Sequence, residues 1–215
     1  MSERSNPGHN VAISLDRDGV IYSKFPPFQV KPLVAIIRRR DYITNSPAIP
    51  KFVDRRMAFS PLRSKNHKLI YVLSKNMGLR NGVREFIVKK FHEGADIFMN
   101  TGQPSQADVV KAVKESLMKE NIFDLFKGFF FKPGANGLWS AISKAVAIQE
   151  LKDMGYEKIF HYDDNHEDAF IIAKVHPDVE VIIVEDFSTK LMVGRDLLEK
   201  FPNVKIIKRL DAKAC

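Results

Sequence analysis

The chain has 215 residues, 45% hydrophobic and 28% charged, with a formal net charge of +8. That balance excludes a disordered or fibrous chain and suits a globular protein with one good core. No apolar run approaches the roughly 20 residues of a membrane-spanning helix, and the polar start lacks the apolar centre of a signal peptide, so a cytoplasmic protein with no membrane partner is expected. The one cysteine, Cys215, permits neither an intrachain disulfide nor a cysteine metal cage.

In chain order, Val-Ala-Ile-Ser-Leu at 11–15 is short, apolar and partly β-branched, which predicts a buried strand brought to an end at Gly19. Asp16 and Asp18 follow it directly. In open α/β sheets ligands bind beyond the carboxyl ends of the strands, so the two acids stand where a site would form. Their i, i+2 spacing can aim one carboxylate at a phosphorus atom while the other reaches the leaving oxygen, once the strand begins to turn.

Between Tyr22 and Arg80 there are 13 Lys and Arg against only Asp41 and Asp54, a balance of +11 that leaves −3 for the rest of the chain. Within this stretch, 22–68 holds six of the eleven prolines and the triplet Arg38-Arg39-Arg40. It reads as irregular turns with short strands, inserted after the first strand. From 78 onward the pattern becomes regular. Helices are predicted over 82–92, 108–120, 140–154, 167–175 and 189–201, and strands from 95 to Thr101 and over 128–131, 158–162, 180–185 and 204–208. In the helix from 140, Val146, Ile148 and Leu151 are expected on one apolar face. Strands alternating with helices predict a mostly parallel sheet covered on both faces.

Four segments carry a resemblance. Asp16-Arg17-Asp18-Gly19-Val20 resembles the first motif of the haloacid dehalogenase (HAD)-like hydrolase superfamily of phosphatases and phosphotransferases. Ala95-Asp-Ile-Phe-Met-Asn-Thr101 resembles its second motif, a strand ending in a hydroxyl. Ser143-Lys144 stands in the place of the third, and the acidic run from Asp163 to Asp168 in that of the fourth. The four occur in the required order and span about 11–186. The resemblance implies an α/β fold, a three-layer Rossmann-like parallel sheet, with residues 1–215 as a single HAD-like domain and 22–68 as a small basic cap-type insertion over the site.

It also implies roles. Asp16 would attack a phosphoryl group to form an aspartyl-phosphate, Asp18 would act as general acid and then base, the Thr101 hydroxyl would hold a phosphate oxygen, and Lys144 would present an ammonium to it. Mg2+ would be held by Asp16, the backbone carbonyl of Asp18, and Asp163 with Asp164 beside it, a set of hard oxygen donors. Whether Asp164, Glu167 or Asp168 binds directly or from behind is left open. Two departures are visible. Tyr162 stands where the fourth motif commonly has glycine, and Asp163-Asp164-Asn165 is closer to the Asp-Asp-Arg of polynucleotide kinase phosphatase domains. Phe131-Lys132-Pro133 matches a Lys-Pro form of the third motif, so Lys132 competes with Lys144.

The expected function is hydrolysis of a phosphate monoester, with a small molecule or nucleotide as substrate. The alternative is a nucleic-acid-binding protein on the same fold, through the phosphate affinity of the basic segment. The two merge if the substrate is a phosphorylated nucleic-acid end. His161, His166 and His176 fall near the acidic run without a recognised ligand spacing; His161 is expected to pack on its strand and His176 to sit in a turn before Pro177. Trp139 and Phe129 to Phe131 are expected in the core.

Overall fold

The computed structural model describes residues 10–22, 78–133, 140–185, 189 and 193–211. The basic segment 22–68, Trp139 and the Arg38–Arg40 triplet lie outside these residues, apart from Tyr22. Six strands form one parallel sheet: β1 (Val11–Leu15), β2 (Asp96–Pro104), β3 (Phe126–Lys132), β4 (Lys158–Asp163), β5 (Glu180–Val184) and β6 (Val204–Ile207). Their spatial order is β3-β2-β1-β4-β5-β6. The chain therefore steps outward from β1 to β3, then returns to lay β4 on the other flank of β1. That reversal makes the carboxyl edge of β1 and β4 a topological switch point, the crevice where this architecture binds ligands.

Strand alternation sorts the side chains into two cores. Ile13, Leu15, Ile97, Met99 and Tyr162 face one side, where they pack with Val83, Phe86 and Ile87 of α1 (Val83–His92) and Val109, Val113 and Leu117 of α2 (Ala107–Lys119). Ala12, Phe98, Ile159, Val181 and Ile183 face the other, against Ala145, Ile148 and Leu151 of α3 (Ser140–Asp153) and Ala169, Phe170 and Ile172 of α4 (His166–Val175). Each aliphatic side chain removed from water in this way contributes about 1.5–3 kcal/mol. The outcome is helix, sheet, helix, the three layers expected.

Several boundaries differ from the sequence reading. The strand expected over 128–131 runs from Phe126 to Lys132, and the second strand continues past Thr101 to Pro104. The helix expected over 189–201 does not run through. Gly194 is extended (φ −89°, ψ 167°) and starts a six-residue helix, α5 (Arg195–Lys200). Ile148 and Leu151 are buried, but Val146 is 37% exposed. At 100° per residue, 146 lies nearly opposite 148. The buried face of α3 is instead built from Ala141, Ser143, Lys144, Ala145, Ala147, Ile148 and Leu151, because the helix lies against both the sheet and α4. Among the described residues no helix is long and apolar enough to cross a membrane.

The chain leaves the sheet after β1 and re-enters it at one stem. Tyr22 bridges Leu79 in antiparallel fashion, and Arg80 N donates to the Ile21 carbonyl at 3.0 Å. This stem stands at the carboxyl end of β1, next to the acids.

Candidate active site

Parity along β1 and β4 builds the centre. Positions 12, 14 and 16 of β1 and its extension share a face with 159, 161 and 163 of β4, so Ser14, Asp16, His161 and Asp163 all point toward α3. Asp16 continues the ladder one step beyond β1, its N donating to the Tyr162 carbonyl at 2.9 Å, and it is buried. Lys144, the fifth residue of α3, brings its ammonium down into the same space. Nζ stands 2.6 Å from Asp163 Oδ2, 3.0 Å from Asp16 Oδ2 and 3.1 Å from Asp168 Oδ2. Asn100 of β2 anchors this turn of helix, donating to the Lys144 carbonyl at 3.1 Å.

Asp16, Asp163 and Asp164 each present an oxygen within 4.8 Å of the others, and all three are buried. With Asp168 they make four buried carboxylates, three of which, Asp16, Asp163 and Asp168, pair with the Lys144 ammonium, while the buried guanidinium of Arg17 is turned to Asp18 at 2.5 Å. The electrostatic consequence is unequal. Burial pushes the Asp16 carboxyl well above the usual range; Lys144 opposes this, and Asp163, Asp164 and Asp18 add to it. Burial also works against an ionised Asp163, yet Lys144 and the His161 hydrogen bond outweigh it and hold that carboxylate well below the usual range. Lys144 loses stability as a cation by burial, but Asp16, Asp163 and Asp168 more than restore it and hold the ammonium well above its ordinary value. The surplus of negative charge, expressed on Asp16, is the condition that a hard cation relieves. Three converging carboxylate oxygens are the donors such an ion prefers.

Gly19 fits this crowding. It has a φ of +87°, and a Cβ there would overlap the Asp164 carboxyl group. Gly19→Ala should therefore both strain the backbone, by about 1–2 kcal/mol, and drive Asp164 out of the cluster. The expected result is a lower melting temperature together with loss of any Mg2+-induced stabilisation; a variant that keeps the wild-type Mg2+ shift would show that Asp164 need not stand where it does.

The sequence-predicted residues meet unequally. Asp16, Lys144, Asp163 and Asp164 converge, and Asp168 joins them through Lys144. The Asp18 side chain stands apart from the carboxylate cluster and is 29% exposed; its oxygens accept from Arg17 Nη1 and from Gln103 Nε2. Thr101 is buried near the end of β2, its Oγ1 accepting from Gln103 N at 3.2 Å. Lys144 lies in the second turn of α3 and not at the helix N-terminus that Ser143-Lys144 suggests. Lys132 ends β3 half-buried, with its pKa lowered by burial and only partly restored by Asp168, and it makes no ion pair among the described residues. Glu167 follows the Asn165 N-cap, whose side chain accepts from Glu167 N at 3.2 Å.

Four contributors were not anticipated: Arg17, Gln103, Arg80, which donates to the Gly19 carbonyl, and Asn100. A signal existed for Gln103, two positions after Thr101 on the same edge. None existed for Arg80, which arrives through the stem. Among the histidines, His161 is enclosed between Ser14 and Asp163, and His176 caps α4 with Nε2 2.9 Å from the Ala145 carbonyl. Phe129 and Phe131 pack at the border of the first core, Phe129 stacking on Phe123 at 5.5 Å between ring centroids.

The fold is that of the HAD-like hydrolases. CbbY from Rhodobacter sphaeroides, solved in complex with phosphate, superposes with a TM-score of 0.53 at 16% identity, over 94% of this chain and 95% of that one. A candidate beta-phosphoglucomutase from Thermotoga maritima gives 0.53 at 19% identity, over 92% and 94%, and a haloacid dehalogenase-like family protein from Streptococcus pneumoniae gives 0.50 at 13%, over 93% and 95%. No family model and no curated protein matches the sequence.

Proposed function

We propose that this protein is a Mg2+-dependent phosphatase that hydrolyses a phosphate monoester through an aspartyl-phosphate on Asp16. The observation that carries this reading is the convergence of Asp16, Asp163 and Asp164 with Lys144 at the switch point of the sheet. An Asp16 carboxylate oxygen attacks phosphorus, and the ester oxygen leaves with a proton from Asp18. Asp18 then takes a proton from water, whose oxygen attacks the same phosphorus and releases inorganic phosphate and free Asp16. Splitting one displacement into two lowers each barrier. Arg17 and Gln103 hold Asp18 in place for both proton transfers, and Thr101 offers its hydroxyl to a phosphate oxygen.

An anionic nucleophile meeting an anionic phosphate needs charge neutralisation. Lys144 supplies part of it from 3.0 Å. Mg2+, held by Asp16, Asp163, Asp164 and the Asp18 backbone carbonyl, would supply the rest by polarising the phosphoryl oxygens. A cytoplasmic location is part of the proposal. Its test is phosphate release from a panel of sugar phosphates, nucleotides, phosphopeptides and 3′- or 5′-phosphorylated oligonucleotides, with Mg2+ and with chelator. Mg2+-dependent release from at least one class is expected; none from any would remove the proposal.

A second reading is favoured by the +11 balance between Tyr22 and Arg80, which enters and leaves the fold at a stem beside Gly19. In it the scissile phosphate is carried on a nucleic-acid end, and the basic segment supplies sequence-independent affinity through counterion release. Oligonucleotide binding should weaken steeply with salt, and replacing Arg38, Arg39 and Arg40 with Ala should flatten that slope. Undetectable binding at low salt would leave a small-molecule phosphatase.

A further inference from the structure

Behind the acid cluster lies a buried polar chain that the reaction scheme does not use. Ser14 and His161 are register partners on the paired strands β1 and β4, two positions before Asp16 and Asp163 respectively, and both are fully buried. Ser14 Oγ stands 2.9 Å from His161 Nδ1, and His161 Nε2 stands 3.1 Å from Asp163 Oδ2. An ionised carboxylate only accepts, so Nε2 carries a hydrogen and donates it; Nδ1 faces the Ser14 hydroxyl, which fixes the ring from behind. Asp163 is thus gripped by three donors. Asn165 N reaches Oδ1 at 2.9 Å, while Lys144 and His161 share Oδ2. A carboxylate offers about four lone-pair sites, so three are committed and one is left.

We infer that His161, braced by Ser14, is a positioning residue that fixes the rotation of the Asp163 carboxylate so that its remaining lone pair is presented to a divalent cation. This rests on the metal-dependent reading above and adds to it the residues that set the metal's affinity. Of the three donors, Lys144 also serves Asp16 and Asp168, and Asn165 N belongs to the turn itself; His161 alone is a side chain committed to Asp163 and Ser14. Without it, Asp163 can turn toward Lys144. Partners of this kind behind a metal ligand typically govern about 10- to 100-fold in affinity.

The test is titration with MgCl2 alone, reading the rise in melting temperature, on the whole 215-residue chain. His161→Leu fills the volume but removes the donor, and should shift the Mg2+ midpoint upward by about 10- to 100-fold. His161→Gln, whose Nε2 can occupy the place of the ring Nε2, should return it to near wild type; Ser14→Ala, which leaves the ring unbraced, should give an intermediate shift. A merely structural role would lower the melting temperature in the absence of metal without moving the midpoint. His161→Leu or, should that variant fail to fold, Ser14→Ala binding Mg2+ at the wild-type midpoint would overturn the inference. Phosphate-ester hydrolysis, measured in parallel, separates the two claims: midpoints that shift as stated in a protein inert toward every ester would support His161 and count against the reaction, whereas an active enzyme with unshifted midpoints would do the reverse.

Discussion

Asp16→Asn should abolish Mg2+-dependent hydrolysis of a generic phosphate ester, by more than about 10³-fold, while the protein stays folded. The amide is nearly isosteric and can still accept from Arg17 N, which donates to Asp16 Oδ1 at 2.7 Å. It cannot attack phosphorus. The fold should not suffer, because burial and the neighbouring carboxylates already disfavour an ionised Asp16, and Lys144 keeps Asp163 and Asp168. A melting temperature equal to or above that of the wild type is therefore expected alongside the lost activity. Asp18→Asn should fall by about 10² to 10⁴-fold, the usual worth of general acid-base assistance. Near wild-type turnover in purified Asp16→Asn would show that the nucleophile lies elsewhere.

The second large effect belongs to Lys144. Its ammonium lies within 3.1 Å of three buried carboxylates, so Lys144→Ala leaves them facing one another in a buried site. Breaking a buried ion network from one side costs about 3–5 kcal/mol, which for a chain of this size lowers the melting temperature by on the order of 10 °C. Turnover should fall as well. Lys132→Ala removes a half-buried lysine without an ion pair among the described residues, and should leave the melting temperature within a few degrees. Comparing the two variants by calorimetry and by single-turnover kinetics decides the assignment. A stable Lys144→Ala with high turnover, beside an inactive Lys132→Ala, would transfer the phosphate-facing role to Lys132.

What the sequence made legible was local. A β-branched run before Asp16-Arg17-Asp18 states its own strand end, and Asp163-Asp164-Asn165 combines a strand end with the cap of α4, both within a few residues. Rotation and distance were less accessible. Whether Lys144 or Lys132 enters the acid cluster depends on how α3 is turned against the sheet and α4, and the misplacement of Val146 is the same difficulty seen from the other side. Asp168 meets Lys144 only because α4 begins at His166 and turns its first coil inward. Arg17 reads as a surface charge between two acids, yet it is buried with its guanidinium 4.9 Å from the centre of the Tyr22 ring. Its concealment depends on the turn that folds Tyr22 back, which no short pattern announces. The break at Gly194 was legible as a glycine but not as a helix boundary, since glycine inside a helix costs only about 1 kcal/mol and tertiary contacts often absorb that.

The pairing of β1 with β4 also bears on the order in which the molecule can assemble. Their register joins Ser14 to His161, so the centre closes a chain loop of nearly 150 residues. Parallel contacts of such sequence separation form slowly, and a ribosome has released β1 and all that lies between before β4 exists to receive it. Until then Asp16 and Asp18 ride on a strand whose one flank is open. The step that closes it also gathers like charges into a buried place. Lys144, which precedes β4 in the chain, is already available as a counter-charge when the last acids come in.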